Sequence, residues 1–216
     1  MSGIGGKIRL ICLIFVFLAA QWTDVLPNAV HVAEAADNGL ARKPFMGWTT
    51  YDMQVYSGNG QWDTEEQIKA QSDAMHRNLQ AYGYKYINID AGWSGGLDEY
   101  GRPYPNETLF PSGFQNLIDY IHNNGQKVGV YMIPGLAQEA YNGNWPIYGA
   151  PGCHMQDIAV KPLTTSDYWG YTYKIDFSNP CAQKYINSIA DEFASWGIDF
   201  VKLDSVTPGS GHNDTT

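Results

Sequence analysis

Residues 179–204 read NPCAQKYINSIADEFASWGIDFVKLD and contain one complete helix–glycine–strand unit. Asn179 is a favoured helix cap, Pro180 suits a first helical turn, and Gly197 is the residue type that most often ends a helix. The apolar residues recur at helical spacing and predict one buried face; they are Ala182, Ile186, Ile189, Phe193 and Trp196. The β-rich run DFVKLD follows almost at once, so the segment predicts a helix leading directly into a strand.

The same unit occurs twice earlier in the chain. A helix is predicted from about Asp63 to Tyr82, capped by Asp63 or Thr64 and ended by Gly83, before the run YKYINID. Its predicted face consists of Ile68, Ser72, Met75, Leu79 and Tyr82. The second helix carries Phe114, Leu117, Ile118 and Ile121 on one face and precedes Gly125 and KVGVYMI. Helices that alternate with single strands predict a parallel sheet, because parallel strands need a crossover connection.

Each predicted strand has one aliphatic and one mixed face. Val201 and Leu203 point one way, whereas Phe200, Lys202 and Asp204 point the other. A doubly wound sheet would bury aliphatic residues on both faces. Polar residues near the carboxyl ends of strands instead favour the mouth of a (β/α)8 TIM barrel.

The predicted barrel is incomplete. Residues 45–48 (FMGW) supply an earlier strand, which gives four, whereas a full barrel takes about 250 residues. We therefore expect residues 37–216 to form the N-terminal half of a TIM-barrel domain, truncated after about the fourth strand. Half a barrel is also expected to be poorly soluble, because its sheet edges and apolar interior are open.

A long connection separates the second unit from the third. Residues 135–173 are rich in Gly, Pro and Trp and lack periodicity, which predicts a partly structured loop over the barrel mouth. Residues 173–177 are predicted to add a short strand there. Cys153 and Cys181 are expected to pair in an oxidising compartment, with two free thiols as the alternative.

The amino terminus indicates secretion. Lys7 and Arg9 precede the apolar run Leu10–Ala20, and small residues at 33–36 suit cleavage, so residues 1–36 are predicted to be a signal peptide. An uncleaved anchor is the alternative. The net charge of −9 argues against nucleic acid as a partner, and the absence of a CxxC motif or a His cluster in the sequence argues against a metal. The protein is thus expected to be extracellular, with no membrane partner beyond the signal.

Asp204 is the strongest catalytic candidate. It ends a strand two residues after Lys202 and on the same face, where a cation favours the ionised carboxylate. An ionised carboxylate at a barrel mouth can attack an anomeric carbon; the alternative is an Asp that caps a turn. Asp90, Trp48 and Tyr131 are weaker candidates, which could bind substrate or serve only in capping and packing.

Four segments resemble glycoside hydrolase family 27, the α-galactosidase family, in order and with sensible spacing. They are GLARKPFMGW (39–48), YGYKYINIDAGW (82–93), LFPSGFQNLIDYIHNNGQKVGVY (109–131) and FASWGIDFVKLD (193–204). The resemblance implies a retaining glycosidase without a cofactor that acts on an oligosaccharide or polysaccharide.

The resemblance also implies roles for single residues. Asp204 matches the family nucleophile, and Lys202 matches a lysine that contacts sugar hydroxyls. Asp90 matches a sugar-binding acid, and Trp48 and Tyr131 match aromatic positions that line the sugar subsite.

The sequence also departs from the family pattern. Ala91 and Gly92 replace an acid and a cysteine, and Ser205-Val206 replaces Asn-Cys. These changes leave the sugar specificity undecided. The candidates are α-galactosides and the substrates of relatives such as isomaltose-releasing dextranases and β-L-arabinopyranosidases. No acid here matches the family's acid/base, so residues 1–216 alone are expected to be inactive.

Two other functions fit the residues. One is a non-catalytic carbohydrate-binding barrel. The other is an unrelated TIM-barrel aldolase or isomerase in which Lys202 forms a Schiff base.

Overall fold

A computed structural model describes residues 39, 42–51 and 63–205 of the chain. The predicted signal peptide therefore lies outside the described residues. The strands found there are β1 (Gly47–Thr49), β2 (Tyr86–Ile89), β3 (Ser94–Leu97), β4 (Pro103–Pro105), β5 (Lys127–Met132), β6 (Leu136–Ala137), β7 (Thr172–Tyr173) and β8 (Phe200–Leu203). The α-helices are α1 (Glu65–Asn78), α2 (Phe114–Asn123), α3 (Gln138–Asn142) and α4 (Pro180–Trp196). Within these ranges no helix has the length and apolar character needed to cross a bilayer.

Four strands form a parallel sheet in the order β1-β2-β5-β8. Its central rows align Ile87 with Val128, and Val130 with Val201. The parallel α/β arrangement predicted from the repeated helix–strand unit is confirmed. Closure into a barrel, and truncation after the fourth strand, stay predictions.

Helix α1 is shorter than the sequence predicted. The side chain of Thr64 accepts a hydrogen bond from the backbone nitrogen of Gln67 and so caps the helix, which starts at Glu65. The α-helix ends at Asn78, and a 3₁₀ turn over Gln80–Tyr82 follows. Leu79 and Tyr82, predicted on the buried face, are 43% and 76% exposed. Because the backbone leaves α-helical geometry at Leu79, the helical spacing no longer places these side chains inside.

The other two long helices follow the prediction more closely. All four residues predicted to face inward from α2 are buried. Helix α4 starts where expected, since Asn179 accepts a hydrogen bond from the Cys181 nitrogen at 2.9 Å. Its buried face also includes Tyr185, which the prediction missed, whereas Ile186 and Trp196 are only partly buried. The Tyr185 hydroxyl donates to the Gly101 carbonyl oxygen at 2.9 Å, and no helical pattern reveals a partner 84 residues away.

The two faces of the sheet differ as their alternation predicted. The four aliphatic side chains Ile87, Ile89, Val128 and Val130 are fully buried and join one apolar cluster with residues of α1, α2 and α4. Leu203 lies at the edge strand and is 50% exposed. The opposite face carries the polar side chains that form the candidate site.

The connection between β5 and α4 has more structure than predicted. It contains α3, a 3₁₀ turn over Met155–Ile158 and an antiparallel pairing of β6 with β7. The extra strand spans Thr172–Tyr173 rather than residues 173–177. Beyond Tyr173 the chain continues as an isolated bridge from Ile175 to Ala159, because its backbone hydrogen bonds go to residues 158–164 and not to β6. Cys153 and Cys181 form a disulfide with their Cα atoms 5.8 Å apart, which links this connection to α4.

Candidate active site

The polar side chains meet at the carboxyl edge of the parallel sheet. Asp90 follows β2 directly, Tyr131 and Lys202 are paired residues of β5 and β8, and Asp204 follows β8. All four have the parity of the face opposite the apolar cluster. Since parallel strands end at the same edge, residues more than a hundred positions apart in sequence come together.

Asp90 and Lys202 form an ion pair. The Lys202 ammonium lies 2.8 Å from Asp90 Oδ2, which also accepts hydrogen bonds from Asn88 Nδ2 at 3.2 Å and Thr49 Oγ1 at 3.4 Å. Asp90 Oδ1 accepts from the Ala91 nitrogen at 2.9 Å. The carboxylate is 0% exposed, whereas the Lys202 side chain is 37% exposed. The group that solvent reaches in this pair is therefore the ammonium.

Asp204 and Tyr131 form the second pair. The Tyr131 hydroxyl donates to Asp204 Oδ2 at 3.0 Å, and the Ser205 nitrogen donates to Asp204 Oδ1 at 2.7 Å. Both carboxylate oxygens are thus held, which fixes the orientation of the side chain. Burial, together with the hydrogen bond to Asp204, raises the pKa of Tyr131 well above its ordinary value, so the phenol stays protonated and remains a donor.

Lys202 connects the two pairs. Its ammonium lies 5.3 Å from the centre of the Tyr131 ring and 4.9 Å from the centre of the Tyr51 ring. Both distances lie within the range of cation–π attraction. Trp48 lines a cavity of about 290 Å³ that Lys202 and Thr49 also line. The structure thus brings Asp90, Tyr131, Lys202 and Asp204 together, and Trp48 shares a cavity with Lys202 alone among these four.

Sequence reasoning missed several residues of the site. Asn88 shares the parity of Asp90, so the alternation could have indicated it. Thr50, whose hydroxyl accepts a hydrogen bond from the Asp90 nitrogen at 2.9 Å, has no such signal. Asp63 is 1% exposed, and burial raises its pKa to about 6, with a further rise from the charge of Asp90 and an opposing hydrogen bond from Thr50. A carboxyl group placed beside the site by a loop has no signature in the local sequence.

Comparison with known proteins places this chain in a family. The profile of the family described as alpha galactosidase A (Melibiase_2) matches residues 43–160. Human alpha-N-acetylgalactosaminidase is 33% identical over 69% of this chain and 37% of its own length. Alpha-galactosidase of Cyamopsis tetragonoloba is 31% identical over 79% of this chain and 32% of its own length.

A solved structure agrees with these relatives. The wild-type GH27 β-L-arabinopyranosidase from Geobacillus stearothermophilus superimposes with a TM-score of 0.64 at 31% identity, over 76% of this chain and 40% of that one. The chain spans about a third of the length of the curated relatives it matches. The match of the family profile covers more than half of the 216 residues, and the chain therefore belongs to the alpha-galactosidase A family, within glycoside hydrolase family 27.

Proposed function

We propose that the protein carrying this chain is a retaining glycoside hydrolase of the α-galactosidase type, with Asp204 as its nucleophile. One observation carries the proposal. Asp204 lies at the carboxyl edge of the sheet, and hydrogen bonds from Tyr131 and Ser205 hold one of its oxygens each. A carboxylate fixed in this way loses little orientational freedom when it attacks, which lowers the barrier.

The proposed reaction has two displacements. A carboxylate oxygen of Asp204 bonds to the anomeric carbon as the bond to the leaving oxygen breaks, and a second carboxyl group protonates that oxygen. Water, deprotonated by the same second group, then displaces Asp204 and restores the original configuration. Retaining enzymes place the two carboxyl groups about 5–5.5 Å apart. We assign the second group to none of the described residues.

The ion pair has a separate role in substrate binding. An ammonium group has three N–H donors, and Lys202 uses one of them on Asp90. The other donors can reach hydroxyls of the terminal sugar, because the ammonium is the solvent-facing member of the pair. Asp90 is enclosed, so it positions Lys202 rather than contacting the sugar in this conformation.

The preferred sugar depends on the residues beside Asp90. Ala91 and Gly92 line an apolar cavity of about 230 Å³ together with Tyr131. An alanine methyl group cannot accept a hydrogen bond, so a terminal sugar with fewer hydroxyls to satisfy there is favoured. A panel of nitrophenyl α-galactoside, α-N-acetylgalactosaminide and β-L-arabinopyranoside distinguishes the sugars named by the relatives. We expect turnover of at least one of them.

The nucleophile is tested by Asp204→Asn in the full-length protein. We expect a fall in kcat of about a thousandfold or more, as for other essential nucleophiles, with an unchanged melting temperature. Asp119→Asn, which removes an exposed carboxylate on α2, is the control and should keep normal turnover. A mechanism-based 2-fluoro glycoside should label the peptide that contains Asp204. Near-normal turnover by Asp204→Asn would exclude this residue as the nucleophile.

We also propose that the protein is exported and that residues 1–36 are removed. The Cys153–Cys181 disulfide supports this proposal, because such bonds persist in oxidising compartments. Amino-terminal sequencing of protein recovered from the medium should give a first residue near Asp37. Recovery only inside the cell, with Met1 intact, would contradict it.

A further inference from the structure

Three aromatic side chains of one loop are exposed to solvent. We call residues 166–172 the aromatic loop. Tyr168, Trp169 and Tyr171 are 76%, 49% and 64% exposed. The rings of Trp169 and Tyr171 are stacked, with their centres 6.3 Å apart and their planes within 13° of parallel. Clusters of exposed apolar surface of this kind commonly mark binding sites.

A buried carboxylate holds this loop in shape. Asp167 is 0% exposed, and it accepts hydrogen bonds from the backbone nitrogens of Trp169 at 2.9 Å, Tyr171 at 3.1 Å and Thr172 at 2.7 Å. Burial alone would raise the pKa of Asp167, but hydrogen bonds from Thr172, Tyr171 and Trp169 together hold it below its ordinary value. The backbone is therefore fixed from within, and the aromatic rings are not needed to stabilise it.

The aromatic loop is anchored beside the nucleophile. The Tyr168 nitrogen donates to Ser205 Oγ at 3.0 Å, and Ser205 directly follows Asp204. At its base, the loop packs on Gly135, where a Cβ atom would lie 2.2 Å from Ser166 Oγ and 2.5 Å from Thr172 Oγ1. The two anchors are at the carboxyl ends of β8 and β5. In the sheet order β1-β2-β5-β8, Asp90 lies on the β2 side and the aromatic loop on the β8 side.

We propose that Trp169 and Tyr171, flanked by Tyr168, bind the sugars on the leaving-group side of the scissile bond. This inference rests on the proposed function. The terminal sugar lies toward Asp90 and Lys202, and the chain continues past Asp204 onto the aromatic loop. Tyr and Trp rings combine a flat apolar face with a polar edge, which matches a pyranose with an apolar C–H face and peripheral hydroxyls.

Binding is measured with the full-length protein in an Asp204→Asn background, so that no probe is cleaved. Calorimetry gives the Kd values of galactose and raffinose, and in parallel of glucose and isomaltotriose. We expect one trisaccharide to bind at least about tenfold more tightly than its monosaccharide. Trp169→Ala and Tyr171→Ala should each weaken trisaccharide binding by roughly fivefold to tenfold and leave monosaccharide binding unchanged. Tyr82→Ala is the matched control. Tyr82 is as exposed as Tyr168, but it precedes β2 and therefore lies at the amino edge of the sheet, away from the aromatic loop.

The outcomes separate this inference from the proposed function. Hydrolysis of a glycosyl fluoride, which has no leaving sugar, tests the nucleophile alone, and the aromatic-loop variants in the wild-type background should keep it. If that hydrolysis is absent but the binding pattern is found, the proposed function fails and the sugar-binding loop stands. If neither trisaccharide binds, or if both alanine variants bind as the parent does, the inference is wrong. It is equally wrong if Trp169→Ala alters self-association in sedimentation while trisaccharide affinity is unchanged, since the loop would then contact a second copy.

Discussion

Asp63 should destabilise the folded protein at neutral pH, and Asp63→Asn should relieve this effect. Burial raises the pKa of Asp63 from 3.8 to about 6. The folded state therefore holds its proton more tightly than the unfolded chain, and stability is lost as the pH rises from about 4 to about 6. At 1.36 kcal/mol for each tenfold change in proton affinity, the full loss is about 3 kcal/mol. About 2 kcal/mol of it falls between pH 4.5 and pH 7.5.

Urea denaturation at these two pH values measures the effect. The difference in unfolding free energy between Asp63→Asn and wild type should grow by about 2 kcal/mol from pH 4.5 to pH 7.5 in favour of the variant. Asparagine has nearly the same shape and keeps an acceptor for Thr50, so its packing cost is the same at both values. Asp119→Asn is the control and should reproduce the pH dependence of the wild type. A difference for Asp63→Asn that stays constant within about 0.5 kcal/mol would refute the assignment of a raised pKa.

Three further predictions concern single contacts. Tyr131→Phe removes the donor to Asp204, and kcat/KM should fall about 10-fold to 100-fold, the 1.5–3 kcal/mol typical of a hydrogen bond to a charged group; wild-type kinetics would contradict the proposed role. Lys202→Met leaves the buried carboxylate of Asp90 without its cation and should cost about 2–3 kcal/mol of stability. Adding Asp90→Asn should recover most of this loss, whereas additive losses would show that the pair is not coupled. Replacing both disulfide cysteines by serine opens a covalent loop that spans 28 residues. The free energy of unfolding, measured by chemical denaturation, should fall by about 3–4 kcal/mol. An unchanged denaturation midpoint would show that the disulfide does not stabilise the fold.

The sequence predicted the sheet because its signals are local. Each helix precedes its strand within a few residues, and two-residue alternation sorts the strand faces, so the order of elements and the parity of Asn88, Asp90 and Lys202 can be read from short windows. The predicted burial of Tyr82 was wrong because the backbone changes conformation at Leu79, and the helical spacing does not continue beyond that residue.

The parts that sequence reasoning missed depend on long-range contacts. The hairpin of β3 and β4 contains Gly and Pro where strand formers are expected, and its register is irregular near Gly96. Asp90 is enclosed by Thr49 and Lys202, which lie 41 and 112 positions away from it in the sequence. Asp167 reads as an ordinary loop acid, and only the folded backbone shows that its carboxylate is fully buried.

The way Asp167 closes the aromatic loop has a consequence for protein engineering. The segment is hydrogen-bonded to its own carboxylate. It is attached to the rest of the protein at Gly135 and Ser205, through the pairing of Thr172 with Ala137, and through Gln138, which donates hydrogen bonds to the carbonyl oxygens of Gly170 and Tyr171. A segment of this kind can be exchanged between relatives as a unit, provided that the residues at these attachment points are kept. Sequence changes at positions 168, 169 and 171 then have little effect on folding, which leaves these positions open to diversification toward new glycans.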